Sequence, residues 1–190
     1  MSVGVAKHAL DNALYCGDEC GYWPDPNKDI LCMADGLGHG KHAQIAAKSA
    51  VSYVSAHVSK PLLDIFSGCD KAIHHTRGVA MGICAINKAE NTLSFGGISN
   101  TRAMIFGKSI KNLSSHYGII GAGYKTLTIE TVPIETGDLV VMFTDGLPET
   151  INITAYNQGI LQDLSILAQQ ILNDFSSGKD DAAVLVYKCP

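Results

Sequence analysis

The chain has 190 residues, is 46% hydrophobic and 17% charged, and carries a formal net charge of -4 with a pI of about 5.9. That length suits one globular domain with a sizeable core, so folding needs neither disulfides nor a structural metal. The acidic balance excludes a nucleic-acid binder that works by neutralising phosphates. No apolar run reaches membrane-spanning length, so neither nucleic acid nor membrane is expected as a partner.

In chain order, Val3–Leu10 and Ala13–Cys16 are expected to be strands. The start, Met1 to Lys7, lacks the basic flank and long apolar stretch of a signal peptide, and a cytoplasmic protein is the expectation. Asp29–Ala34 is an apolar run that gives way to Asp35-Gly36-Leu37-Gly38-His39-Gly40, the pattern of a buried strand entering a tight loop. A helix is predicted over His42–His57, where Ala43, Ala46, Ala47, Ala50, Val51 and Val54 form one apolar stripe. A shorter helix follows over Leu62–Ile73, after Pro61. Val79–Asn87, Thr92–Gly96, Arg102–Gly107, Ser109–Leu113 and Thr126–Val132 have the rhythm of an antiparallel meander, with Ser99–Arg102 read as a plain hairpin turn in preference to a polar turn that touches substrate. Asp138–Thr144 is another buried strand that runs into Asp-Gly. Leu161–Phe175 is an amphipathic helix, and Ala182–Tyr187 a last strand leaving Lys179-Asp180-Asp181. Strands in a long central group, with helices segregated between groups, give an α+β fold: an antiparallel β-sandwich flanked by α-helices, in one domain spanning residues 1–190.

The chemistry-bearing feature is a set of acids where apolar strands give out: Asp18, Asp35, Asp145 and the pair Asp180/Asp181. Asp-Gly is a common turn dipeptide, so each acid alone also reads as a turn cap. Jointly, they can gather at one rim of a sandwich. Unit like charges about 4 Å apart repel by about 1 kcal/mol in water, and by several times that beside protein. A cluster of this kind therefore takes up protons or binds cations. Oxygen-only ligands favour Mg²⁺ or Mn²⁺ over zinc. Two such ions can acidify a shared water and place it in line with phosphorus.

Other sites weigh less. Cys16 and Cys20 form the one close cysteine pair, with no second pair to complete a zinc site, and the six cysteines read as reduced thiols. His39 can protonate a leaving oxygen or simply line the rim. His74-His75 reads as a solvated or partner-facing pair on a helix, with rings pointing apart. Trp23 with Pro24 and Pro26 either meets a partner or staples a loop. No cysteine has an arginine six positions on, as a cysteine phosphatase requires. Gly36-x-Gly38-x-Gly40 fits neither a P-loop nor a dinucleotide fingerprint.

Ala34-Asp35-Gly36-Leu37-Gly38-His39-Gly40, Phe143-Thr144-Asp145-Gly146 and Lys179-Asp180-Asp181-Ala182-Ala183-Val184-Leu185-Val186 resemble, in order and spacing, the motifs of the PPM-type metal-dependent serine/threonine phosphatases. Cys16-Gly17-Asp18 resembles the first metal motif of the bacterial SpoIIE/RsbU/RsbX branch, and the chain looks most like the RsbX type. The resemblance implies an α-β-β-α sandwich. It implies a pair of Mn²⁺ or Mg²⁺ ions, with a third left open, held by Asp18, Asp35, the Gly36 carbonyl, Asp145 and Asp180, or Asp181 one register step away. It also implies hydrolysis of phosphoserine or phosphothreonine on STAS-domain proteins of a bacterial stress-signalling complex, by a metal-bridged water, in a monomer. Ala183 departs from the family's usual threonine, and no N-terminal arginine matches the one that the eukaryotic branch uses for phosphate. The rival readings are a catalytically silent phosphatase-like binding module and a two-metal hydrolase of another phosphoester.

Overall fold

A computed structural model describes residues 2–190; Met1, the first residue of the expected domain, lies outside the described residues. The strands are β1 (Val3–His8), β2 (Asp18–Trp23), β3 (Lys28–Gly36), β4 (Val79–Asn87), β5 (Thr92–Ile98), β6 (Arg102–Phe106), β7 (Ile110–Leu113), β8 (Gly118–Ile119), β9 (Gly123–Tyr124), β10 (Glu130–Pro133), β11 (Leu139–Phe143) and β12 (Ala182–Lys188). The helices are α1 (Lys41–Ser55), α2 (Leu62–Ala72), α3 (Gln158–Gln162) and α4 (Leu164–Phe175).

Two five-stranded antiparallel sheets face each other, in the orders β1-β12-β11-β6-β7 and β10-β5-β4-β3-β2. Between them lies one core layer, in which Leu31, Met33, Cys84 and Phe95 of one sheet meet Ile105, Val140, Met142 and Leu185 of the other. Each sheet buries its second face under helices. Ile30, Cys32 and Ala34 of β3 pack beneath α1 and α2, where Ala46, Ala47, Ala50 and Phe66 meet them. Ala182, Val184 and Val186 of β12 pack beneath Leu167, Ala168 and Ile171 of α4. Alternate residues of one strand thus enter different cores, which is why β3, β11 and β12 read as continuous apolar runs. The result is the expected α-β-β-α sandwich. Among the described residues, no helix is long and apolar enough to cross a membrane.

Several boundaries differ from the sequence expectation, each for a local reason. Ala13–Cys16 is not a strand; it follows a 3-10 turn at Leu10–Asn12, and Leu14 is 85% exposed, so no apolar face exists there to pair. The strand of that region is β2, whose first residue is Asp18 itself. The helix expected over Leu161–Phe175 is broken at Asp163, whose carboxylate accepts the N–H groups of Ser165 and Ile166 at 3.0 and 3.2 Å and so starts α4 afresh. The strand expected at Thr126–Val132 forms only over Glu130–Pro133, where it pairs with β5. Ser99–Arg102 is not a hairpin turn. It carries the chain from β5 in one sheet to β6 in the other, and Ser99 adopts φ 67° to make that crossing.

Candidate active site

The two sheets meet end to end at one rim, and four of the five acids gather there. Asp18 and Asp35 are cross-strand partners in β2 and β3. Asp145 follows β11, and Asp180 stands just before β12, so these two belong to the opposite sheet. A cavity of about 430 Å³ opens between them, lined by Asp35, Asp145 and Asp180 together with His39, Asn100 and Lys179. Asp18 sits beneath this floor and is only 1% exposed.

The glycine loop between β3 and α1 shapes one wall. A Cβ on Gly36 would fall 2.1 Å from the Ala43 carbonyl oxygen, so only glycine lets the first turn of α1 lie against the end of β3. Gly40 begins the helix at φ 76°, a left-handed conformation that side chains resist. The Arg77 guanidinium reaches this loop, close enough that a Cβ on Gly38 would lie 2.9 Å from its Nη1.

Each carboxylate has a distinct environment. Asp18 Oδ2 accepts the Thr144 hydroxyl at 2.7 Å, while Asp18 Oδ1 is buried without a hydrogen-bond partner among the described residues. Burial, aided by the charges of Asp181 and Asp145 and opposed by the Thr144 hydroxyl, pushes the Asp18 carboxyl up to about 7. Burial also pushes Asp35 up, to about 9, with the charges of Asp18, Asp145 and Asp180 acting in the same direction. The two titrate as a unit that retains a proton through neutrality when nothing cationic balances it. Asp145 is exposed, and its Oδ2 accepts a hydrogen bond from Asn100 Nδ2 at 2.9 Å.

The neighbours Asp180 and Asp181 have opposite fates. Asp180 is exposed and faces the cavity. Asp181 is 4% exposed, and its two oxygens accept the backbone N–H groups of Leu10 and Gly17, each at 2.8 Å. Asp181 therefore holds the approach to β2 and the start of β12 together.

The donor set suits a hard cation: carboxylate oxygens, one of them buried and unpartnered, with no thiolate in the cavity lining among the described residues. Among the described residues, no three His, Cys, Asp or Glu side chains close on a single point tightly enough to hold a metal ion. Asp18 and Asp35 are neighbours across β2 and β3, and Asp145 and Asp180 come to the same rim from the other sheet.

Sequence reading missed two residues here. Thr144 looked like the end of a strand, but its hydroxyl also accepts the Ala183 N–H at 2.9 Å and so joins β12 to Asp18. Its position directly before Asp145, as the one polar residue ending an apolar run, was the available signal. Asn100 was read as part of a plain turn, and only the crossing between sheets brings it to Asp145. Among the sites given less weight, Trp23 packs on the core beneath α1 and α2 and so acts as a staple. Cys16 Sγ donates to the His8 carbonyl, and all six cysteines are free thiols. His74 and His75 are exposed but do not point apart; the chain has already left α2, and their rings meet edge to face with centroids 5.7 Å apart.

The profile of the Stage II sporulation protein E (SpoIIE) family matches residues 25–190. The phosphoserine phosphatase RsbX of Bacillus subtilis (strain 168) is 26% identical over 137 residues, covering 70% of this chain and 67% of that protein. A chain from a solved structure of a bacterial stressosome, described as a modular system adapted to control secondary messenger signaling, superposes with a TM-score of 0.88 over 98% of both chains at 25% identity. A crystal structure of RsbX in complex with magnesium superposes with a TM-score of 0.81 at 21% identity, covering 98% of this chain and 94% of that one. The chain belongs to the Stage II sporulation protein E family of metal-dependent serine/threonine protein phosphatases.

Proposed function

We propose that this chain hydrolyses phosphoserine or phosphothreonine on STAS-domain regulators of a bacterial stress-signalling complex, acting as a single-domain cytoplasmic monomer. The observation that carries the reading is the convergence of Asp35, Asp145 and Asp180 on one cavity, with the unpartnered Asp18 Oδ1 buried beneath it. Asp18, Asp35, the Gly36 carbonyl, Asp145 and Asp180 are proposed to hold two Mn²⁺ or Mg²⁺ ions. Asp181 holds backbone rather than metal, since both of its oxygens already accept N–H groups.

When bound, such ions supply neutralising charge for the phosphoryl oxygens and an acidified water for in-line attack. The chain's own residues do the rest. Thr144 fixes the orientation of Asp18, and Asn100 fixes that of Asp145. The glycine loop gives the phosphoryl group backbone to lie against. His39, exposed on the cavity wall, is placed to give a proton to the leaving serine oxygen. The kinship with RsbX, named a phosphoserine phosphatase, and with a stressosome chain supports the substrate class.

The test is release of phosphate from phosphorylated STAS-domain proteins of the same genome, with Mn²⁺, with Mg²⁺ and with EDTA. Turnover that depends on the cation supports the proposal. Cation-independent turnover, or none on any phosphoprotein offered, rejects it.

A further inference from the structure

Beside the acid cavity lies a second, larger one of about 560 Å³, lined among others by Asn100, Arg102, Ser115, His116, Tyr117 and Glu149. The two cavities share Ser99, Asn100 and Ile119, so they adjoin as two halves of a trough on either side of the chain that crosses between the sheets. The walls of the larger cavity are tied together at the base. Ser99 N–H donates to the His116 carbonyl at 2.7 Å, His116 N–H to the Gly97 carbonyl at 2.8 Å, and the Ser115 hydroxyl to the Thr101 carbonyl at 2.7 Å. A trough braced in this way exists before anything enters it, so filling it costs little ordering.

Two features of its lining ask for a partner. Arg102 lines the cavity partly exposed, and its guanidinium has no carboxylate partner among the described residues, its inner Nη1 being buried without a hydrogen bond. Tyr117 is 98% exposed at the rim, a full aromatic surface with nothing packed on it. An unpaired guanidinium on a cavity wall is best met by a carboxylate, which can take two parallel N–H bonds from its accessible edge. An exposed tyrosine at the lip of a groove is suited to covering a passing polypeptide. Glu149 stands at the exposed edge, where solvent screens it.

We propose that this cavity receives the polypeptide flanking the phosphorylated residue, and that Arg102 selects an acidic side chain there. This rests on the acid cavity being the phosphatase site. Arg102 lines only the second cavity, so it is assigned to the flanking chain and not to the phosphoryl group. The enzyme would then distinguish phosphoproteins by their neighbouring residues, with Asn100 as the shared wall between chemistry and recognition.

The test uses two phosphoserine peptides, one with aspartates on both sides of the phosphoserine and a twin with asparagines, alongside p-nitrophenyl phosphate, all with Mn²⁺. Wild type should favour the aspartate peptide roughly tenfold in kcat/KM, chiefly through KM, as expected for one hydrogen-bonded charge pair. Arg102→Gln should remove that preference, and its loss on the aspartate peptide should exceed its loss on p-nitrophenyl phosphate by about the same factor. Arg102→Lys, which keeps the charge without the planar fork, should retain a reduced preference. Tyr117→Ala, at a position too exposed to disturb the fold, should raise KM for both peptides alike. Equal kcat/KM for the two peptides in wild type, or an undiminished preference in Arg102→Gln, overturns the assignment of Arg102. Failure to hydrolyse any of the three substrates overturns the phosphatase reading instead. In that case, fluorescence anisotropy of the same labelled peptides in EDTA still decides the point: tighter binding of the aspartate peptide that depends on Arg102 supports the cavity assignment, and equal binding rejects it.

Discussion

Thr144 donates its hydroxyl to Asp18 Oδ2 at 2.7 Å across the seam between the two sheets. Asp18 begins β2 of one sheet, and Thr144 leaves β11 of the other; the same hydroxyl accepts the Ala183 N–H. One small side chain therefore orients the most buried acid of the site. Thr144→Val keeps the shape but removes both bonds. It should cost about 1–2 kcal/mol of stability by leaving buried groups unpaired. It should also raise the Asp18 pKa further and weaken cation binding, read as a higher Mn²⁺ concentration for half-maximal turnover. An unchanged Mn²⁺ dependence would remove Thr144 from any role in the site.

Asp35→Asn addresses the electrostatic cost of the cluster. Without a cation, Asp35 must take up a proton at neutral pH that the unfolded chain releases; asparagine removes that cost, so the metal-free protein should melt higher, by a few degrees for each kcal/mol relieved in a domain of this size. Mn²⁺-dependent hydrolysis of p-nitrophenyl phosphate should fall by about 10² or more, as for lost transition-state charge stabilisation. Differential scanning fluorimetry and a steady-state assay on the same preparation check both halves. A variant that is active, or no more stable without metal, contradicts the arrangement.

Protonation gives the metal-free protein a characteristic pH dependence. Asp18 and Asp35 are raised to about 7 and about 9, above the carboxylate range of an unfolded chain. Between those limits the folded state binds more protons than the unfolded state, and its stability therefore falls as pH rises. The loss begins above the unfolded carboxylate pKa, near pH 4, and is complete only past pH 9. Chemical denaturation in EDTA from pH 5 to 9 should show a declining midpoint, and saturating Mn²⁺ should flatten or reverse the slope. A midpoint that climbs with pH in EDTA would mean that the pair is ionised without cost.

The neighbours Asp180 and Asp181 should separate cleanly by mutation. Asp181→Ala strands the N–H groups of Leu10 and Gly17 and should destabilise the fold by about 2–4 kcal/mol. Asp180→Asn should leave the melting temperature nearly untouched, because its side chain is exposed, and should instead lower Mn²⁺ affinity. Isothermal titration with Mn²⁺ and thermal melts on both variants decide between them. The reverse pattern would exchange their roles.

Much of the architecture was legible because the core strands are buried on two faces. Asp29–Ala34, Asp138–Thr144 and Ala182–Tyr187 are too apolar to be anything but interior, and the alanine stripe of α1 admits a close neighbour. The acids were legible because each interrupts such a run. What escaped was whatever depends on long-range placement. The residue pair Asp180-Asp181 is chemically symmetric in sequence, and only the backbone of Leu10 and Gly17, some 170 positions away in the first case, breaks the symmetry. Asn100 and Arg102 gained their meaning from a crossing between sheets that looked like a hairpin, since turn chemistry is the same for both. The misplaced first strand has a similar cause. The segment Asp18–Trp23 holds Asp, Glu and Gly, and it pairs at the sheet edge because β3 beside it supplies the register.

Since Asp18 and Asp35 ride on one sheet while Asp145 and Asp180 ride on the other, their spacing is a property of how the two layers are stacked. The interleaved Met33, Met142, Phe95 and Leu185 act as the vernier of that spacing. A slip of one layer over its neighbour too small to expose any core would still splay the acids. Turnover is thus the finest gauge this molecule offers of its own alignment, and heat or denaturant should silence it while both sheets remain intact.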